Sequence, residues 1–386
     1  TDMKIDYFLL KNGESIIYLS DSDLNLNFVR DNRYLSFDKL LGTTSISGKR
    51  LFFGSTINNF NMDIAFNQSK LFFMSALEYD SLITASTSGA VVMSTDQQEI
   101  KINDLSVIMQ GLEWKNKDTL SIAFTPESLK FNKFTIGTGK TEINLKGSIE
   151  NNKFNNLVVE ADSIESYLIS NYLFGANDPE FNLTGDFTAL LSGSFNDPTF
   201  KSTLKLNDFS YEKNRFGSLL GYLNYKDKLF KADIKFLDTT YNVNQPLLAL
   251  TASLPFDLTV GEGKTRLIES EPIDISLNTD NFNLAALGQL VPFVNHQSGL
   301  VKSDLKITGT YSNPKFEGGL DIGDAFFTVD YTNLDYNFNT KLQFQENKLV
   351  IESLNIMNTR MVTYPGKMSI KGDVALNGFN LADINL

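Results

Sequence analysis

The sequence predicts an all-β protein: a long antiparallel β-sheet with a few short helices. Three observations predict it. Apolar residues alternate with polar or small ones along most of the chain. Turn-forming residues interrupt the alternation about every 8–12 residues. One strand-rich unit is used twice.

The alternation is visible at Leu120, Ile122 and Phe124, at Ile143 and Leu145, and at Leu157 and Val159. It recurs at Ile273, Ile275 and Leu277, and Met368, Ile370, Val374 and Leu376 keep one parity across Gly372. Successive strand side chains point to opposite faces, so each such run has one apolar and one polar side, as in half-buried antiparallel strands. The interruptions include "NNK" at 151–153, "NDP" at 196–198, "SNP" at 312–314 and "QEN" at 345–347. Asn and Asp tolerate left-handed backbone and Pro presets φ, which suits each to a turn. Abundant Phe and Tyr suit a pleated surface.

Two stretches keep another period. "DSIESYLISNYLF" at 162–174 spaces Ile164, Leu168 and Tyr172 four apart, behind a cap-competent Asp162–Ser163 pair. "NFNLAALGQLVPF" at 281–293 spaces Leu284, Leu287 and Leu290 three apart. Both predict short amphipathic helices at the margin of the sheet or capping its groove.

The repeat pairs "ALLSGSFNDPTFKSTLKL" (189–206) with "LKITGTYSNPKFEGGLDI" (305–322). Gly193 matches Gly309, Pro198 matches Pro314, Phe200 matches Phe316, Leu204 matches Leu320 and Asp208 matches Asp324, at a constant offset of 309 − 193 = 116 residues. Each copy follows a strand and a helical stretch. The expected organisation is therefore a segment at 1–154 with a weaker repeat and two repeat units at 155–270 and 271–386, forming one continuous elongated structure.

Composition bounds the function. A formal net charge of −12 disfavours nucleic acid or an anionic membrane surface as partner. The absence of Cys removes disulfides, thiolate metal sites and thiol nucleophiles, and fits an oxidising compartment. The one histidine, His296 in "VNHQSG", reads as a polar loop residue. No apolar run reaches the roughly 18–20 residues of a membrane helix. The chain opens on "MKIDYFLL" and closes on "LADINL" in mid-pattern, and is expected to be part of a longer protein whose anchor lies outside it.

Catalytic motifs are missing. "GTGKT" at 137–141 and "GEGKT" at 261–265 hold Phe134 and Leu258 where a phosphate-binding loop needs its first Gly, and neither leads into a helical pattern. Acidic pairs such as Asp321 with Asp324 and Glu269 with Glu271 lack any visible cleft to perturb them. No GxSxG occurs. The expectation is a non-enzyme with no cofactor and no metal.

The order "IDISLNTDNFNLAALGQLVPFV…GLVKSDLKITGTYSNPKFEGGLDI" resembles the TamB-type translocation and assembly module proteins of the AsmA-like superfamily. The family's strand, short helix and Gly/Pro punctuation falls here on Phe282, Leu284, Leu287, Pro292, Gly299, Leu305, Ile307, Gly309, Pro314, Gly318 and Leu320. The earlier copy departs from it, with Lys201–Ser202 in place of Glu317–Gly318. The resemblance covers 155–386, and 1–154 in style only. It implies a long, curled β-sheet, open along one side as an apolar groove, in a protein of the Gram-negative periplasm, anchored in the inner membrane outside this chain, with an outer-membrane β-barrel as partner. It also implies phospholipid transfer between the membranes and a part in outer-membrane biogenesis.

A sheet with one apolar face needs a cover: two sheets can cover each other as a sandwich, or one sheet can curl round and hold acyl chains at roughly 0.8 kcal/mol per buried methylene. A strand pattern repeated over this length, with no second set of helices, favours the curl. The residues expected to line such a groove are Leu305, Ile307, Leu320, Ile322, Leu342, Phe344, Leu349 and Ile351, which keep period two within four consecutive runs. The alternative is a periplasm-spanning scaffold for outer-membrane protein assembly, without lipid transport. An adhesin-like solenoid would show shorter, stricter repeats, and an outer-membrane barrel would show aromatic girdles.

Overall fold

The computed structural model describes residues 1–12, 15–29, 41–53, 56–80, 83–94, 97–174, 181–211, 214–237, 246–260, 266–287, 293–345, 347–358 and 366–385. These residues are overwhelmingly strand, and the fold is all-β and antiparallel. The chain divides into two compact units, Thr1–Asp162 and Ser163–Leu386.

In the first unit the strands are β1 (Asp2–Asn12), β2 (Ser15–Val29), β3 (Leu41–Phe53), β4 (Thr56–Asn67), β5 (Lys70–Asp80), β6 (Ile83–Met93) and β7 (Gln98–Met109). They continue as β8 (Leu112–Asn116), β9 (Leu120–Thr125), β10 (Ser128–Lys133), β11 (Thr135–Thr138), β12 (Thr141–Glu150) and β13 (Lys153–Glu165). From β1 to β7 each strand pairs with the next. β8 and β9 both pair with β7, and β10 and β11 both pair with β12, so each couple acts as one interrupted strand of the same meander.

The second unit holds α1 (Ser166–Phe174), then β14 (Phe181–Ser194), β15 (Asp197–Tyr211), β16 (Asn214–Lys226), β17 (Leu229–Leu237), β18 (Leu248–Pro255) and β19 (Asp274–Asn283). After a 3-10 turn at Leu284–Leu287 come β20 (Val294–Gly309), β21 (Pro314–Val329), β22 (Leu334–Gln345), β23 (Lys348–Asn358), β24 (Lys367–Asn377) and β25 (Asn380–Asn385). Every strand from β14 to β25 pairs with its successor.

Aromatic contacts show that the sheet curls within this second unit. Phe209 on β15, Phe236 on β17 and Phe282 on β19 lie two strands apart, which in a flat sheet is about 9–10 Å. Their ring centroids are 5.6 and 5.5 Å apart. The 3-10 turn after β19 packs back against β15 and β16. At the opposite ends of the strands, Phe379 in the β24–β25 turn reaches Tyr311 in the β20–β21 turn at 5.0 Å.

Bulges supply the bend. An extra residue in one strand increases twist and curvature, and register shifts interrupt the β15–β16, β19–β20 and β21–β22 ladders, among others. Asn and Asp make up ten of the sixteen non-glycine residues with positive φ among the described residues, so the Asn-rich composition serves these left-handed positions. At Asp324 (φ 47) the bulge N–H is taken by the Asn339 carboxamide at 2.7 Å, so the interrupted ladder leaves no orphan donor there.

The 116-residue repeat has a structural counterpart. Gly193 (φ 87) pairs with Pro198 across the β14–β15 turn, and Gly309 (φ 85) pairs with Pro314 across the β20–β21 turn. Asp208 (φ 53) and Asp324 each sit at a register shift in the following ladder. Both prolines lie at strand starts, where a missing ladder donor does no harm.

Three local expectations are corrected. The 162–174 helix begins only at Ser166, because β13 runs on through Glu165. Ser163 donates its N–H to the Asp186 carboxylate of β14 at 3.1 Å, so Asp162–Ser163 belong to the strand and do not cap the helix. In the 281–293 stretch, Asn281–Asn283 complete β19 and only Leu284–Leu287 turn helically, started by Ala285 donating to the Asn283 side chain at 3.0 Å. Residues 288–292, including Leu290 and Pro292, lie outside the described residues. His296 is an exposed residue of β20 with φ 53, on a strand irregularity and not in a loop.

Candidate functional site

Directly opposed residues of antiparallel strands share a face, so the ladder register assigns paired side chains to one side or the other of the sheet in the second unit. Leu305 and Ile307 of β20 stand opposite Leu277 and Ile275 of β19. Ile307 also opposes Phe316, and Ile322 opposes Val301. Leu320 opposes Leu342, and Phe344 opposes Gly318. Leu342 and Phe344 meet Ile351 and Leu349, which meet Gly372 and Val374. All eight residues singled out from the sequence thus lie on one face, and each is half-buried.

The same face runs back through earlier strands that sequence reasoning had not included. Leu250 of β18 opposes both Leu277 and Ile234, and Ile234 opposes Gly221. Leu248 and Phe236, then Leu219, continue the row. The signal was present in "LFKADIKF" at 229–236, where Phe230, Ala232, Ile234 and Phe236 keep one parity and Lys231, Asp233 and Lys235 the other. Phe316, 8 % exposed and stacked on Phe344 at 5.6 Å, is a further missed member. Its run, "KFEGGL", is broken by glycines, which hides the period.

The outer face is charged in alternation. Asp280, Lys302, Asp321, Lys341 and Glu352 follow one another across β19 to β23, all exposed. Lys302 contacts Asp280 at 2.9 Å and Lys341 contacts Glu352 at 2.9 Å. The hydrogen bond and charge of Glu352, then the charge of Asp321, raise the Lys341 ammonium above its ordinary value. Opposite charges on neighbouring strands favour this register, modestly because they are solvated. Asp321 therefore belongs to a surface ladder and Asp324 to a bulge, which leaves the pair without a shared cleft.

The first unit repeats the division of faces. Ile64 opposes Phe73, Leu71 opposes Val91, Val91 opposes Ile100, and Ile100 opposes Ile122. Ile122 then meets Phe131. Residues 137–141 form the β11–β12 hairpin, with Gly139 at φ 56 in its turn, while 261–265 lie outside the described residues. Among the described residues no cluster of His, Asp and Glu could hold a metal, and no helix is long and apolar enough to cross a membrane.

No family model matches this chain, and no solved structure does. Among curated proteins, the C3a anaphylatoxin chemotactic receptor of Mus musculus is 26% identical over 132 residues, which is 34% of this chain. The matched segment spans 27% of the receptor's own length, and a similarity of that extent shows no family.

Proposed function

We propose that the apolar face is a hydrophobic groove for phospholipid acyl chains, used in transfer between the inner and outer membranes and in outer-membrane biogenesis. The protein then works in the Gram-negative periplasm, held to the inner membrane by an anchor outside this chain and facing an outer-membrane β-barrel partner. Its action is binding and conduction, without chemistry. The observation that carries the proposal is the continuous apolar row on one face of a curled sheet, from β16 to β24, in which Phe316 and Val301 are buried while Leu305, Ile307, Leu342 and Phe344 stay half-buried. A closed sandwich would bury the whole row. An acyl chain moving along it would exchange one set of methylene contacts for an equivalent one, each worth about 0.8 kcal/mol, so barriers between positions would be low.

Photo-cross-linking tests the proposal. Vesicles carrying a phospholipid with a photoreactive acyl chain should label inner-face residues such as Ile307 and Leu342 and spare Lys306 and Lys341. Labelling confined to the outer face, or none, would overturn it.

A further inference from the structure

The segment after β18 does not turn straight into β19. Residues 256–260 instead run across the tips of earlier strands. Phe256 donates its N–H to the Lys228 carbonyl at the start of β17 (2.8 Å), Leu258 to the Tyr225 hydroxyl at the end of β16 (2.9 Å), and Val260 to the Phe195 carbonyl in the β14–β15 turn (2.8 Å). Every second residue is thus fastened to another strand end. The distance spanned is three to four strand spacings, about 14–19 Å, and five extended residues reach about 16 Å.

The crossing is riveted from both sides. Arg266 on the return arm donates to the carbonyls of Asp257 and Thr259 at 3.2 and 2.8 Å, and the Asp257 amide donates back to the Arg266 carbonyl. The Asp257 carboxylate, largely buried, accepts from the Thr259 amide at 2.8 Å and from Lys228 at 3.0 Å. Tyr225 belongs to the apolar face, opposite Phe230, and is only 1 % exposed. The crossing segment therefore lies on the apolar side of the sheet, over its margin. At the same ends of later strands, Phe379 closes on Tyr311 and Phe316 at 5.0 and 5.6 Å.

We infer that residues 256–260 are a strap that seals the turn-side margin of the apolar face, so that lipid does not enter or leave across the tips of β14 to β18. This rests on the groove proposed above. The strap is a wall that sets the route of exchange, and Tyr225, Lys228 and Asp257 are the residues that keep it shut.

Because the chain has no Cys, an Asn196→Cys/Thr259→Cys pair can lock the strap without competing thiols. The two positions are neighbours, since the Thr259 hydroxyl donates to the Asn196 carbonyl at 3.3 Å. A Tyr225→Phe/Val260→Pro variant removes two fastenings. The probe is a phosphatidylglycerol with a fluorescent acyl chain, exchanged between donor vesicles and protein, with amide hydrogen exchange at Leu258 and Val260 as a lipid-free readout. The expected result is protected amides in the unmodified chain, equal exchange for locked and reduced pair, and about tenfold faster exchange after unfastening. Exchange stopped by the lock would make the strap a door and overturn the inference. So would unprotected amides, or an unfastened variant that is folded and exchanges at the unmodified rate. Should the unmodified chain take up no phospholipid, the proposed function fails first and the inference falls with it. Should the unfastened variant fail to fold, the lock and the amides still decide.

Discussion

A carboxylate placed at Ile307 would stand between Ile275 and Phe316 on the inner face. In a closed core it would be buried without a partner and would cost several kcal/mol. On an open face, where Ile307 is half-buried, it can reach water. Ile307→Asp should therefore stay folded by circular dichroism and lose bound phospholipid. The matched control on the outer face is Ser276→Asp, which stands opposite Lys306 and should change neither property. Lys306 itself opposes Glu317, so an acid there would meet a like charge. The glycine pair gives a second test at this scale. A Cβ at Gly193 or Gly309 would lie 2.5 Å from the carbonyl oxygen of Asp197 or Asn313, at a positive φ in both cases. Gly193→Ala and Gly309→Ala should each lose about 1–3 kcal/mol in urea unfolding, and by similar amounts. A large loss at one and none at the other would contradict the equivalence of the two repeats.

Elements are joined here by bulges and crossing segments, and both can be tested separately from the ladders. Removing the cap of the Asp324 bulge by Asn339→Ala frees an N–H near solvent and should cost about 0.5–1.5 kcal/mol in urea unfolding, with an unchanged strand signal. At the strap, Asp257 is held well below the usual carboxylate range by hydrogen bonding from Thr259 and then by Lys228. A lowered folded value means that its contribution is complete above the unfolded carboxylate value of about 3.9 and disappears only as pH falls through the lower folded one. Protection of Leu258 and Val260 amides, corrected for intrinsic exchange, should thus persist at about pH 4, and Asp257→Asn should remove its decline on further acidification. The ladders were legible in the sequence because period two and turn spacing are local: Leu342 and Phe344 announce their own strand. The exact helix start was not, because Asp186, twenty-three residues away, holds Ser163 in the strand. The strap was hidden for the same reason, since its partners Phe195 and Tyr225 are brought to it by the meander and by no pattern in "PFDLTV".

At the scale of the whole molecule, the feature that matters is one apolar face that the ladder register carries through the second unit from β16 to β24. The shared face of Leu305, Ile307, Leu320, Ile322, Leu342, Phe344, Leu349 and Ile351 was legible from parity within each run. Its extension through β16 to β18 needed the ladder register, because nothing local says which parity of "LFKADIKF" meets Leu250. The ligand is a separate matter, resting on a resemblance and on the chemistry of an uncovered apolar row. The most direct test is mass spectrometry of lipids carried by the chain purified without detergent, with Ile307→Asp and Ser276→Asp beside it. The expected result is at least one phospholipid per unmodified chain, retained by Ser276→Asp and lost by a folded Ile307→Asp. A lipid-free unmodified chain, or equal loss from both variants, would contradict the groove.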